Sequence, residues 1–249
     1  MRKISVTSGK GGTGKSTVSA SLALGLSKRG YKVGYLDLDM YGPNALDILG
    51  NAPIGITSDD YFVPAERGGI KYISLAHIAA EKTPWLWDGK DTSSAARQLL
   101  ERTKWGNLDF LICDFCPGTD EEVQKMLPLM DYTVLVTVPS ALSESNVKRM
   151  LEMCREKEVP ILGLIKNMTR YRCPKCSHEA QIFPEDHSFD EIPTLCEIPL
   201  SEEIAKKKVI TEFPVERFLE AIKHPVKLKP KSRPLKSRLI RAFLKGIGD

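Results

Sequence analysis

Apolar and polar side chains alternate along this chain with two periods, 2 and about 3.6 residues, and the switches between them mark its elements. Lys3-Ile4-Ser5-Val6-Thr7 alternates residue by residue and predicts a strand, and Val18-Ser19-Ala20-Ser21-Leu22-Ala23-Leu24-Gly25-Leu26 predicts a helix ending near Lys28-Arg29-Gly30. Lys32-Val33-Gly34-Tyr35-Leu36-Asp37-Leu38-Asp39 and Ile70-Lys71-Tyr72-Ile73-Ser74-Leu75 predict strands, and residues 92–103 carry Ala95, Ala96, Leu99 and Leu100 at helical spacing. Leu108-Asp109-Phe110-Leu111-Ile112-Cys113-Asp114 is nearly unbroken in its apolar character, as a central parallel strand covered on both faces must be. Tyr132-Thr133-Val134-Leu135-Val136-Thr137-Val138 follows, then a helix carrying Leu142, Val147, Met150, Leu151 and Cys154, then the strand Ile161-Leu162-Gly163-Leu164-Ile165 ending at Lys166-Asn167-Met168. Strand and helix in alternation predict an α/β fold, a doubly wound and mainly parallel sheet with helices on both faces, in a single domain over 1–222. Residues 51–69, rich in Gly, Pro and Asp, predict a loop with little regular structure, and Trp85-Leu86-Trp87-Asp88-Gly89 an irregular cover for the core.

Between the first strand and the first helix stands Ser8-Gly9-Lys10-Gly11-Gly12-Thr13-Gly14-Lys15-Ser16-Thr17, which fills the pattern G-x-x-x-x-G-K-[ST] in the setting that a phosphate loop requires. Gly9, Gly11, Gly12 and Gly14 let the backbone approach an anion closely, so that N–H groups, Thr13 and Thr17 included, converge at the positive end of a helix. Lys15 adds a charge for the terminal phosphates and Ser16 a hydroxyl for magnesium, which makes ATP and Mg2+ the expected ligands of a P-loop NTPase. Asp37 and Asp39, two residues apart at a strand end, stand beside this loop, one to orient water and the other to support magnesium. Asp114 closes the apolar run in the Walker B position, also for magnesium, and Phe115-Cys116-Pro117-Gly118-Thr119-Asp120 follows as a loop placed to sense the terminal phosphate. Cys116 reads as a small buried residue, and Asn167 stands where it meets an adenine edge. The extra Lys10 resembles the deviant Walker A of the MinD/ParA and nitrogenase-iron-protein class, and the resemblance implies that it reaches the nucleotide of a partner subunit.

Length and composition add bounds rather than chemistry. The 249 residues suffice for one α/β domain, and no apolar run approaches the roughly 20 residues that span a bilayer. Gly9-Lys10-Gly11-Gly12 interrupts any leader-like apolar region, so a cytoplasmic setting is expected, in which the six cysteines are thiols or metal ligands rather than disulfides. The net charge of +4 is uneven: 223–249 holds nine Lys/Arg and one acid, which leaves the preceding domain at about −4. No nucleic-acid partner is expected from basicity that sits in a tail. Pro225, Pro230 and Pro234 predict an extended linker, and Leu239, Ile240, Phe243, Leu244 and Ile247 then recur at helical spacing among basic residues. Such a segment can touch an anionic membrane, but at about three turns docking on the protein or disorder is favoured.

Tyr171-Arg172-Cys173-Pro174-Lys175-Cys176-Ser177-His178, within a loop over 168–180, presents two thiolates at a spacing that suits zinc or an iron–sulfur cluster; a redox disulfide and a purely structural pair are the other readings. Two thiolates are half of such a site, and His178, His187, Cys196 or a second subunit's own pair are the available complements.

Taken together these residues resemble the Mrp/ApbC family of iron–sulfur P-loop ATPases. The resemblance rests on residues 9–17, Asp37-Leu38-Asp39-Met40-Tyr41-Gly42-Pro43-Asn44, Trp105-Gly106-Asn107-Leu108-Asp109-Phe110, Asp114-Phe115-Cys116-Pro117-Gly118-Thr119, Lys166-Asn167-Met168 with Cys173-Pro174-Lys175-Cys176, and Glu197-Ile198-Pro199-Leu200. It implies a homodimer that binds ATP, holds one [4Fe–4S] cluster between Cys173 and Cys176 of both subunits, and delivers it to apo-proteins. By the same resemblance Lys10 and Lys15 meet phosphates, Ser16 and Asp114 serve magnesium, Asp39 positions water and Asn167 holds adenine. Cys116 and Asp120 depart from the family pattern Asp-x-Pro-Pro-Gly-Thr-Gly-Asp, which bears on hydrolysis rate more than on binding. The competing readings are a positioning or regulatory ATPase switch with structural zinc, and a metal-bridged binding module with negligible hydrolysis.

Overall fold

The computed structural model describes residues 1–39, 42–80, 92–183 and 189–230. Strand β1 (Arg2–Thr7), helix α1 (Lys15–Lys28) and strand β2 (Val33–Asp37) open the chain, followed by α2 (Ala45–Leu49). Three short strands, β3 (Gly55–Ile56), β4 (Phe62–Val63) and β5 (Ala65–Arg67), lead into β6 (Ile70–Ser74) and α3 (Leu75–Ala80). Next come α4 (Thr92–Arg102), β7 (Phe110–Asp114), α5 (Glu121–Met126), β8 (Tyr132–Thr137) and α6 (Ala141–Glu156). The chain continues through β9 (Ile161–Arg172), β10 (Glu179–Gln181), β11 (Thr194–Leu200), α7 (Glu202–Lys207) and α8 (Val215–Lys223).

One sheet runs in the order β10-β9-β8-β1-β7-β2-β6-β5, with β11 also paired to β9. The strands from β9 to β6 are parallel, and β10 and β5 are antiparallel edges. Alternate residues feed two cores, as the period of 2 requires. Tyr35, Phe110 and Ile112 pack with α1 and α8, whereas Leu36, Leu111 and Cys113 pack with α4, α5 and α6. The register decides where chemistry collects: Val6 of β1 and Asp37 of β2 both lie level with Asp114 of β7, so the phosphate loop leaves the sheet beside two adjacent carboxylates.

The structure departs from the sequence expectations in three places. Residues 51–69 are not a plain loop: Phe62 is buried in the core and anchors β4 against β3, and one buried aromatic among Gly, Pro and Asp leaves no period to detect. Strand β9 continues beyond Ile165 for seven residues, to Arg172, because β11 and then β10 pair with it. The chain also does not leave the domain at Lys223, since Val226 exchanges both backbone hydrogen bonds with Ile161 (2.8 Å each) and packs with Leu228 on the core. Met40, Tyr41, the 85–89 segment, His187 and the amphipathic part of the tail lie outside the described residues. Among the described residues no helix is long and apolar enough to cross a membrane.

Candidate functional site

The N-terminus of α1 is built for an anion. No side chain caps it and no acid stands in its first turn, so its orphan N–H groups and dipole are left for something else. Gly12 and Gly14 take φ of +75° and +78°, a backbone open to glycine at no cost. At Gly12 a side chain would meet open space, whereas at Gly14 a Cβ would lie 2.2 Å from Asn167 Nδ2. Gly14→Ala is therefore expected to cost about 1–3 kcal/mol and to lower the melting temperature by roughly 2–12 °C, measured by circular dichroism. An unchanged melting temperature would mean that the loop gives way at no cost.

Around this loop lies a cavity of about 380 Å³, lined by residues 10–17 together with Ser8, Asp39, Asn44, Ile48, Pro117 and Lys208. Thr13 Oγ1 is buried in the loop with no hydrogen-bond partner, an orphan donor at the place where a phosphate would sit. Lys15 is buried, with Nζ 2.8 Å from Asp114 Oδ1 and 3.7 Å from Asp39 Oδ2. Burial alone would lower its pKa, but the Asp114, Asp39 and Asp37 carboxylates outweigh it and hold Lys15 above the ordinary lysine value. Asp114 is fully buried and also accepts a hydrogen bond from the Tyr35 hydroxyl at 3.2 Å.

Asp37 and Asp39 differ in what they face. Asp37 is fully buried, and its oxygens accept the Asp39 N–H (3.0 Å), the Ala45 N–H (3.0 Å) and the Ser74 hydroxyl (3.1 Å). Burial first, and then the Asp114 carboxylate, push its carboxyl up to about 7. Through these bonds Asp37 shapes the turn that carries Asp39. Asp39 does line the cavity, with its Oδ1 accepting the Gly42 N–H at 3.1 Å.

Three further expectations gain partners. Lys10 Nζ donates to Ser140 Oγ at 3.3 Å within its own chain. Asn167 donates its Nδ2 to the Thr13 carbonyl at 2.8 Å and so braces the phosphate loop from β9. The loop after β7 is tied to the same place by the Gly118 N–H donating to the Ser8 carbonyl at 2.9 Å. Asn44, Ile48 and Lys208, to which the sequence assigned no role of their own, also line the cavity. Asn44 Nδ2 lies 3.5 Å from Ser16 Oγ and closes a segment that carries the family resemblance, while Lys208 left no local signal.

At the far end of β9, Cys173 and Cys176 stand on the hairpin turn into β10. The Cys173 N–H donates to the His178 carbonyl and the Ser177 N–H to the Cys173 carbonyl, both at 2.9 Å, and Ser177 closes the turn at φ +57°. The backbone N–H groups of Cys176 and Lys175, and then the Cys176 side chain, donate toward the Cys173 sulfur and hold its thiol below the ordinary value. The other four cysteines are buried, and burial pushes Cys196 up to about 11 and Cys116 and Cys154 to about 12. Iodoacetamide should accordingly label Cys173 first and Cys176 next on the native chain, with the other four labelled only after denaturation, as read by peptide mass spectrometry. Equal labelling of Cys116 would contradict its placement.

A ParA-group family description, NUBPL iron-transfer P-loop NTPase, matches residues 1–221. The chain is 38% identical over 214 residues to an iron-sulfur cluster carrier protein of Aquifex aeolicus, covering 82% of this chain and 59% of that protein, so it spans less than two thirds of that relative. It is 41% identical over 194 residues to a cytosolic Fe-S cluster assembly factor NUBP2 homolog of Dictyostelium discoideum, covering 74% and 73%. Among solved structures it is similar to a nucleotide-binding protein of Archaeoglobus fulgidus in complex with ADP, at 28% identity and a TM-score of 0.72 over 92% of this chain and 94% of that one.

Proposed function

Because this chain belongs to the NUBPL iron-transfer P-loop NTPase family, we propose that it is an ATP-dependent iron–sulfur cluster carrier in which two copies hold one [4Fe–4S] cluster and pass it to apo-proteins. The observation that carries the reading is the Cys173–Cys176 hairpin. It presents two thiols on a turn whose N–H groups point at sulfur, and among the described residues no group of three or more ligating side chains completes a site. A second copy of the same hairpin about a two-fold axis supplies the missing two thiolates. Zinc suits four thiolates equally well in geometry, so the occupant is decided by analysis of iron, sulfide and zinc. A reducing compartment, the cytoplasm, is the setting this reading needs.

At the other site the residues fit ATP with magnesium. The loop amides of Gly9, Gly11, Gly12, Thr13, Gly14 and Thr17 cradle phosphates, Lys15 meets the terminal ones, and Lys10 leaves Ser140 for the nucleotide of the partner copy. Ser16 and Asp114 serve the metal, a hard cation suited to oxygen donors. Asp39 positions water, Asp37 acts through Asp39, and Asn167, with one amide hydrogen committed to Thr13, reaches the adenine edge. The chemistry is positioning and charge neutralisation, so hydrolysis is slow until a partner completes the site. The test is metal and sulfide content of anaerobically purified protein, measured beside its mass in solution. Iron and sulfide in equal amounts with a dimeric mass is the expected result. A chain that stays monomeric with and without ATP and metal sinks the shared-cluster reading.

A further inference from the structure

We infer that Lys208 is a nucleotide-binding residue, a third lysine brought to the phosphate-loop cavity by α7, which exchanges Asp47 for the anionic part of the bound nucleotide. The inference rests on the nucleotide half of the reading above. Its first support is placement: Lys208 lines the same cavity as Ser16, Thr17, Asn44 and Ile48, although nearly 200 residues separate it from the phosphate loop in the chain.

Backbone geometry supplies the second. Lys208 ends α7 in the left-handed region at φ 57° and ψ 11°, its N–H bonded to the Ile204 carbonyl at 2.8 Å. Glycine is the residue suited to that cap, and a lysine there is strained relative to it. The left-handed turn also sets Lys208 apart from the lysines before it. Lys206 and Lys207 stay on the helix and pair with Glu202 (2.5 Å) and Glu203 (2.8 Å), four residues back. Lys208 instead crosses to α2, with Nζ 3.2 Å from Asp47 Oδ2.

Charge supplies the third. Lys15 is already matched by Asp114 and Asp39, which leaves Lys10 and Lys208 as the cavity's other cationic side chains for a polyanion. The Lys208–Asp47 pair is half or more exposed at both ends, at 50% and 68%, and is weak in water, so a multiply charged phosphate competes for the lysine readily. Two anchors keep Lys208 at the cavity meanwhile. Ser201 caps α7 by accepting the Ile204 N–H at 3.2 Å, and the Ile210 N–H donates to Ser21 Oγ of α1 at 2.8 Å.

Calorimetric titration of the full chain with ADP and magnesium tests this with three variants. Lys208→Ala is expected to weaken ADP binding roughly 5–20-fold, and the loss should shrink as ionic strength rises. Lys208→Arg should retain most of the affinity, and Asp47→Ala should leave it unchanged or raise it, because the competing carboxylate is gone. All three should melt within a degree or so of the parent, since the pair is exposed. Parent-like affinity in Lys208→Ala overturns the inference, as does an equal loss in Asp47→Ala, which would make the pair a brace between α2 and α7. Failure of the parent chain to bind ADP at all would overturn the nucleotide reading itself, a result distinct from either.

Discussion

Lys15→Ala is expected to weaken ATP binding by about 100-fold and to remove turnover, because it deletes a charge-assisted contact from a buried ammonium. It should also cost stability. Asp114 is fully buried and Asp39 nearly so, and both lose the ammonium 2.8 and 3.7 Å away. Removing one member of a buried pair costs about 3–5 kcal/mol, which for a domain of this size lowers the melting temperature by roughly 10 °C. Binding must therefore be measured well below the variant's own melting point, beside a circular-dichroism melt. Unaltered hydrolysis would refute the assignment. The sign with pH follows from the direction of the shift. A lysine whose folded pKa lies above the ordinary 10.5 contributes its full stabilisation below that value and loses it as pH rises through the folded pKa, so the parent keeps this ion pair throughout the neutral range.

The other large effect is at Cys173. After anaerobic reconstitution with iron and sulfide, the parent chain should show the broad visible absorbance of a cluster and Cys173→Ser should show none. In a two-fold site one substitution removes two of the four ligands, which is why the loss should be complete rather than partial. Cys176→Ser should behave alike. Cys116→Ser should stay coloured, since that thiol is buried beside the phosphate loop and takes no part. Cys176 is exposed and Cys173 partly so, so substitution there should change stability by no more than about 1 kcal/mol, and a circular-dichroism melt separates colour loss from unfolding. A colourless parent that retains zinc would instead favour a regulatory ATPase with a structural metal.

How much was legible in the sequence varied with how local the physics is. The stretch from Ser8 to Thr17 could be read outright, because close approach, helix dipole and lysine charge all come from adjacent residues. Strand β7 was equally plain, its unbroken apolar run being what burial on both faces demands. The end of β9 was not. Arg170, Tyr171 and Arg172 carry no apolar pattern, and they are strand only because β10 and β11 offer hydrogen bonds. The hairpin under Phe62 was missed for the same reason: a single buried aromatic makes an anchor without making a period.

By itself, then, the sequence determined the phosphate loop, the alternation that builds a parallel sheet, and a pair of thiols at metal-ligand spacing, each settled by neighbours within a turn or two of chain. Only the tertiary structure decided which acid faces the cavity. Strand register sets Asp37 level with Asp114, and the buried hydrogen bonds there hold Asp37 beneath the turn and leave Asp39 lining the cavity. Tertiary packing likewise decided that the end of α7 delivers Lys208 to the cavity at the phosphate loop. Contacts of that kind join residues remote in the chain, and their energies depend on burial and distance, which no spacing of residues along a sequence records.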